Sequence, residues 1–148
     1  MTHPKLGNVV AKAEKSLEPA IERLGGFLKI PAISCEPAHK DDVKKLAEHV
    51  RDDLKKVGFQ NARLLELDPV DGKGAHPCVA AEWLKKPGTP TVLIYGHLDL
   101  QPIEEGWNSP AHIPTKRDGR LYARGSADDM GGWVSHLVAL ECWLTEAG

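Results

Sequence analysis

The sequence contains no run of about 20 apolar residues, so it offers no helix able to span a bilayer. It also lacks an excess of charge of one sign. Nineteen Lys and Arg stand against 21 Asp and Glu, a formal net charge of -2, and the electrostatic footprint of a nucleic-acid binder is missing. Three cysteines, Cys35, Cys78 and Cys142, lie far apart with no C-x-x-C spacing. So sparse and odd a set excludes a disulfide scaffold and suits a reducing, cytoplasmic compartment. Each thiol is expected as a buried apolar filler. Residues 1–30 carry charges throughout and have no apolar core of about 7–15 residues, so no Sec export signal is expected. Internal repeats, low-complexity tracts and interdomain linkers are absent as well. What remains is ordinary for one soluble domain: 148 residues, 41% hydrophobic and 27% charged.

Apolar residues recur at helical spacing in three places. Val9, Ala13, Leu17, Ile21, Leu24 and Leu28 form one stripe, which predicts a helix over about 8–29, broken or kinked near Glu18 by Pro19. Val43, Leu46, Val50, Leu54 and Val57 predict a second helix over about 41–57, capped by Gly58. Trp133, Leu137, Leu140 and Leu144 predict a third over about 131–146. Strands are expected at 62–67 and 78–84, with turns at 70–76 and 85–90, and a hairpin at 116–123 should turn at Asp118-Gly119. Thr91 to Tyr95 is a short unbroken apolar run, the pattern of a central strand buried on both faces. The fold class expected is α/β, a mixed sheet with flanking helices.

Chemistry is concentrated just after that run. In Gly96-His97-Leu98-Asp99 the two polar side chains are two residues apart and share a face if the segment is extended. One imidazole nitrogen can ligate a metal while a carboxylate holds the other; the pair can equally be a structural hydrogen bond. The second cluster is Arg124-Gly125-Ser126-Ala127-Asp128-Asp129-Met130-Gly131-Gly132. Adjacent carboxylates repel, and a divalent cation relieves that repulsion. The alternative is an acidic cap on the following helix. A phosphate cradle is disfavoured because the Asp pair repels an anion.

Taken together, Gly96-His97-Leu98-Asp99-Leu100-Gln101-Pro102, Gly106-Trp107, Ser109-Pro110, Asp118-Gly119-Arg120-Leu121-Tyr122 and Arg124 to Asp129 form an ordered series. The series resembles the M20 family of zinc metallopeptidases, and within it the dipeptidase branch. Ile30-Pro31-Ala32-Ile33-Ser34 and Pro37-Ala38-His39 resemble that branch's "IPSVS…PAH" loop. The resemblance implies the N-terminal portion, over 1–148, of a zinc-peptidase-like (phosphorylase/hydrolase-like) catalytic domain, with the lid or dimerisation domain absent. It implies His97 and Asp128 as zinc ligands, Asp128 bridging two ions, and Asp99 as the catalytic acid that orients His97. Asp129 is not expected to bind metal. The cofactor implied is Zn2+, two per complete site, with Mn2+ or Co2+ as alternatives. The reaction implied is hydrolysis of dipeptides or short peptides by a metal-activated water. The partners implied are a small peptide substrate and, for the parent protein, a second copy of itself; neither nucleic acid nor a membrane is expected.

Three residues depart from the family pattern. Met130 stands where Lys is usual, removing a cation; Ala123 replaces a Gly; and Ala111-His112 replaces a Pro-Phe or similar pair. His112 is expected as a solvent-facing strand residue. The general-base glutamate and the later ligands of the family have no matching positions before Gly148. The helix ending there is expected to be a cut, and the chain alone is expected to be inactive and to hold zinc weakly. Two other readings stand beside the dipeptidase: an M20-type amidohydrolase of N-acyl amino acids, and a non-catalytic remnant acting as a binding protein.

Overall fold

A computed structural model describes residues 3–69 and 75–148. These fall into two compact units, one formed by residues 1–29, 95–97 and 109–148, the other by residues 30–94 and 98–108.

The first unit holds three helices and a hairpin. Helices α1 (Leu6–Lys15) and α2 (Leu17–Leu28) replace the single broken helix expected. The break falls at Ser16, not Glu18, for a steric reason. In a continuous helix the Pro19 ring would strike the carbonyl four residues back, that of Lys15. Instead Ser16 closes α1, its N–H reaching Lys12 O and Ala13 O at 3.0 and 3.1 Å, and its own carbonyl accepts the Ala20 N–H to start α2. Helix α4 (Met130–Ala147) packs against both. Val9, Phe27, Leu28, Met130, Trp133, Val134, Leu137 and Cys142 make the core, and Arg23 reaches Glu141 at 2.9 Å between α2 and α4. Strands β3 (Thr115–Arg117) and β4 (Arg120–Tyr122) form the expected hairpin. Asp118 and Gly119 both have positive φ, 51° and 71°, as a two-residue turn between right-twisted strands requires.

In the second unit helix α3 (Lys40–Val57) lies on an antiparallel pair, β1 (Gln60–Leu65) and β2 (Cys78–Glu82). Val43, Leu46, Ala47 and Val50 are the buried face of α3. Gly58 ends it at φ 99°, its N–H on Lys55 O and that of Phe59 on Leu54 O. The turn at 85–90 is present, with Gly88 at positive φ. The turn expected at 70–76 lies largely outside the described residues.

Mixed helices and small sheets are therefore present, but not as one mixed sheet. Among the described residues there are two separate two-stranded sheets, both antiparallel. Thr91 to Tyr95 is not a strand, and it is not buried: Val92, Leu93 and Tyr95 are 80, 90 and 82% exposed. An apolar run becomes a doubly buried strand only where neighbouring strands cover it, and no described segment pairs with this one. Two of the three thiols also depart from expectation: Cys35 and Cys78 are exposed, and only Cys142 is buried. Both exposed thiols flank irregular segments, at the end of the 30–35 loop and the first residue of β2, where side chains are not forced inward. No helix among the described residues is long and apolar enough to cross a membrane.

The left-handed cap gives a direct test. A Gly58→Ala substitution forces an L side chain into positive φ and should destabilise by about 1–2 kcal/mol. Urea unfolding followed by circular dichroism should show a lower midpoint; an unchanged midpoint would contradict the cap.

Candidate metal centre

The first unit brings His97 and Asp128 together. His97 Nε2 and Asp128 Oδ1 are 2.9 Å apart. The Asp128 side chain is 83% exposed and that of His97 40%, so the pair faces solvent. With a carboxylate as acceptor, Nε2–H is the donor, and a cation held by the same two atoms would take the place of that proton. Asp128 sits in the loop that leads into α4, where the unpaired N–H groups of an 18-residue helix favour negative charge.

Asp129 occupies the cap position of α4 but makes no side-chain capping bond. Its carboxylate turns away, and Oδ2 accepts the backbone N–H of His97 at 3.3 Å. The capping alternative for the acidic pair is thus not realised. One turn further along α4, Trp133 Nε1–H donates to His97 O at 3.1 Å. Both backbone polar groups of His97 are therefore taken by side chains at the start of α4, one from its cap residue and one from its first turn. The peptide bond between Asp128 and Asp129 is cis.

The glycines of both motifs have a common purpose, close approach. A Cβ on Gly96 would lie 2.8 Å from Trp133 Cβ and 3.0 Å from Asp129 Oδ2. One on Gly132 would collide with Asp129 Oδ1, and one on Gly131 with Ser126 O. Glycine at 96 lets its segment reach α4; glycines at 131 and 132 let the loop fold back on the helix start.

Asp99 belongs to the second unit. There Leu100 makes a parallel bridge with Ile33, and its N–H reaches Ala32 O at 2.9 Å. That register sets Ser34 beside Asp99, and the Ser34 hydroxyl donates to Asp99 Oδ2 at 2.6 Å. His76 Nε2–H donates to Ser34 O at 2.9 Å and steadies the same loop.

Two departures from the motif pattern are resolved. Met130 is fully buried at the start of α4. A thioether suits such a position, whereas an ammonium would have to be desolvated. His112 is neither on a strand nor solvent-facing. It lies half-buried in a turn with Nδ1–H directed at Leu28 O, 3.3 Å away, because the chain doubles back at Ala111 to meet Arg124 before β3 begins.

Donor chemistry at His97 and Asp128 fits a borderline divalent cation such as zinc, which takes imidazole nitrogen and carboxylate oxygen. The number of donors does not suffice. No group of three or more His, Cys, Asp or Glu able to hold a metal occurs among the described residues, and zinc sites take three or four protein ligands.

The close approach at Gly132 can be tested by comparison. In a helix interior Gly→Ala normally stabilises by about 0.5–1 kcal/mol. Gly26→Ala, where an added Cβ meets nothing within 4 Å, should raise the unfolding midpoint. At Gly132 the collision with Asp129 costs about 1–3 kcal/mol and wins, so Gly132→Ala should lower it. A rise at Gly132 would contradict the geometry.

Known proteins similar to this chain fall in one family. Residues 93–147, the stretch from the exposed apolar run to the end of α4, match Peptidase family M20/M25/M40. The chain is 30% identical over 148 residues to the Cys-Gly metallodipeptidase of Schizosaccharomyces pombe, covering 94% of this chain and 30% of that protein. A succinyl-diaminopimelate desuccinylase of Delftia acidovorans is 40% identical, but over 70 residues, 43% of this chain and 18% of its own. The solved structure of the dipeptidase Dug1p from Saccharomyces cerevisiae superposes with a TM-score of 0.87 at 23% identity, covering 99% of this chain and 32% of the other. The chain thus spans about a third of the length of the two dipeptidases, and less of the desuccinylase. The His97 and Asp128 motifs both lie inside the stretch that matches the M20 peptidase family.

Proposed function

We propose that residues 1–148 form the N-terminal part of the catalytic domain of an M20 dipeptidase, in which His97 and Asp128 hold zinc and Asp99 orients His97. The observation that carries this reading is the 2.9 Å approach of His97 Nε2 to Asp128 Oδ1, with both heads open to solvent. A bound zinc pair supplies polarisation of the scissile carbonyl and lowers the pKa of a water. Mn2+ or Co2+ could serve the same donors. The chain's own residues present one nitrogen and one carboxylate to that pair. The Ser34 hydroxyl donates to Asp99 Oδ2 and fixes that carboxylate within its own unit.

The substrate class proposed is dipeptides or short peptides. Similarity to a Cys-Gly metallodipeptidase extends over 94% of the chain, whereas that to a desuccinylase extends over 43%. The amidohydrolase reading is second for that reason. The balanced charge gives no support to a nucleic-acid partner.

Two proteins test the proposal. The 148-residue chain with added Zn2+ should show no turnover on a panel of dipeptides that includes Cys-Gly. A longer protein containing it should cleave that panel, and His97→Ala or Asp128→Ala should reduce its kcat/KM by at least about 100-fold. Preference for N-succinyl or N-acetyl amino acids over dipeptides would favour the amidohydrolase. Full activity in the His97 variant would overturn the site.

A further inference from the structure

Resting on the reading of His97 as a metal ligand, we infer that Trp133 is a positioning residue for it, acting through the backbone. The residue fills two roles at once. Its ring is buried, 8% exposed, with its centroid 5.2 Å from that of Phe27. Packing of this kind is what the apolar face of α4 requires, and any large apolar residue could supply it. Its indole N–H is different. Nε1 donates to His97 O, and a phenyl or aliphatic side chain could not.

The direction of the contact matters. His97 lies in a segment that is neither helix nor strand. In a sheet its N–H and C=O would be satisfied by a neighbouring strand. Here that neighbour is the first turn of α4: Asp129 takes the N–H and Trp133, four residues on, takes the C=O. Residues four apart on a helix share a face, so the two contacts act on one side of the segment. Gly96 permits it, because a side chain there would strike both Trp133 and Asp129. With its backbone held at both polar groups, His97 has only its side-chain torsions left free, and Nε2 is delivered to Asp128 on the same loop. Removing the indole N–H frees one end of that hold while leaving the core packed.

The experiment reads zinc affinity from the His97 imidazole nitrogen resonances as Zn2+ alone is titrated into the 148-residue chain, a method that tolerates weak binding. Trp133→Phe keeps a ring against Phe27 and removes the donor. It should weaken zinc by about tenfold, the low end of the range for groups that hold a ligand in place. A thermal midpoint measured alongside separates this from loss of fold. If the Phe variant does not fold, benzothienylalanine at position 133, which keeps the bicyclic shape and lacks the N–H, should give the same weakening. Wild-type zinc affinity in a folded variant lacking the N–H would overturn the inference. His97 imidazole resonances that do not respond to Zn2+ in the wild-type chain would instead overturn the metal reading beneath it, and the two failures are distinguishable.

Discussion

The capture of one residue's backbone by one turn of helix organises the rest of the site. His97 follows an exposed apolar segment that has no strand beside it among the described residues. Its N–H and C=O are satisfied instead by the Asp129 carboxylate and the Trp133 indole. Without them the segment would have no defined register against α4, and the imidazole would have no reason to meet Asp128. The glycines at 96, 131 and 132 serve the same end by removing the side chains that would hold the segment and the loop away.

This arrangement divides labour within the acidic pair. Two adjacent carboxylates at a helix start could both have capped the helix, or both have turned outward to a cation. They do neither. Asp129 turns inward to hold His97, and Asp128 stays outside with its head exposed. One carboxylate therefore has a structural partner, and the other remains available for a cation together with Nε2. Two donors do not make a zinc site, and the chain spans about a third of the dipeptidases it resembles. What the chain itself arranges is one imidazole nitrogen beside one exposed carboxylate.

Local signals were legible in the sequence wherever they were self-contained. The stripe at Val43, Leu46 and Val50 with Gly58 behind it marks α3 almost to the residue, and Asp118-Gly119 marks the hairpin turn, because periodicity and positive φ are properties of a few neighbouring residues. Thr91 to Tyr95 reads as a buried central strand and is exposed, because burial depends on partners that the run itself cannot specify. The motif residues His97 and Asp128 were visible, and their mutual approach is what the structure adds. Asp129 and Trp133 were read as a bystander and as core. The one available hint was chemical: a buried tryptophan at the head of a helix carries an N–H that needs an acceptor. Ser34 was visible within the loop motif, but its bond to Asp99 depends on the Ile33–Leu100 bridge, a contact between residues far apart in sequence.

The most direct measurement is anomalous diffraction at the zinc edge from crystals of a longer protein that contains these 148 residues. A zinc peak bonded to His97 Nε2 at about 2.0–2.1 Å and to an Asp128 oxygen at about 2.0–2.2 Å is the predicted result. Zinc bound through His97 Nδ1, or zinc present in the protein but away from both residues, would contradict it.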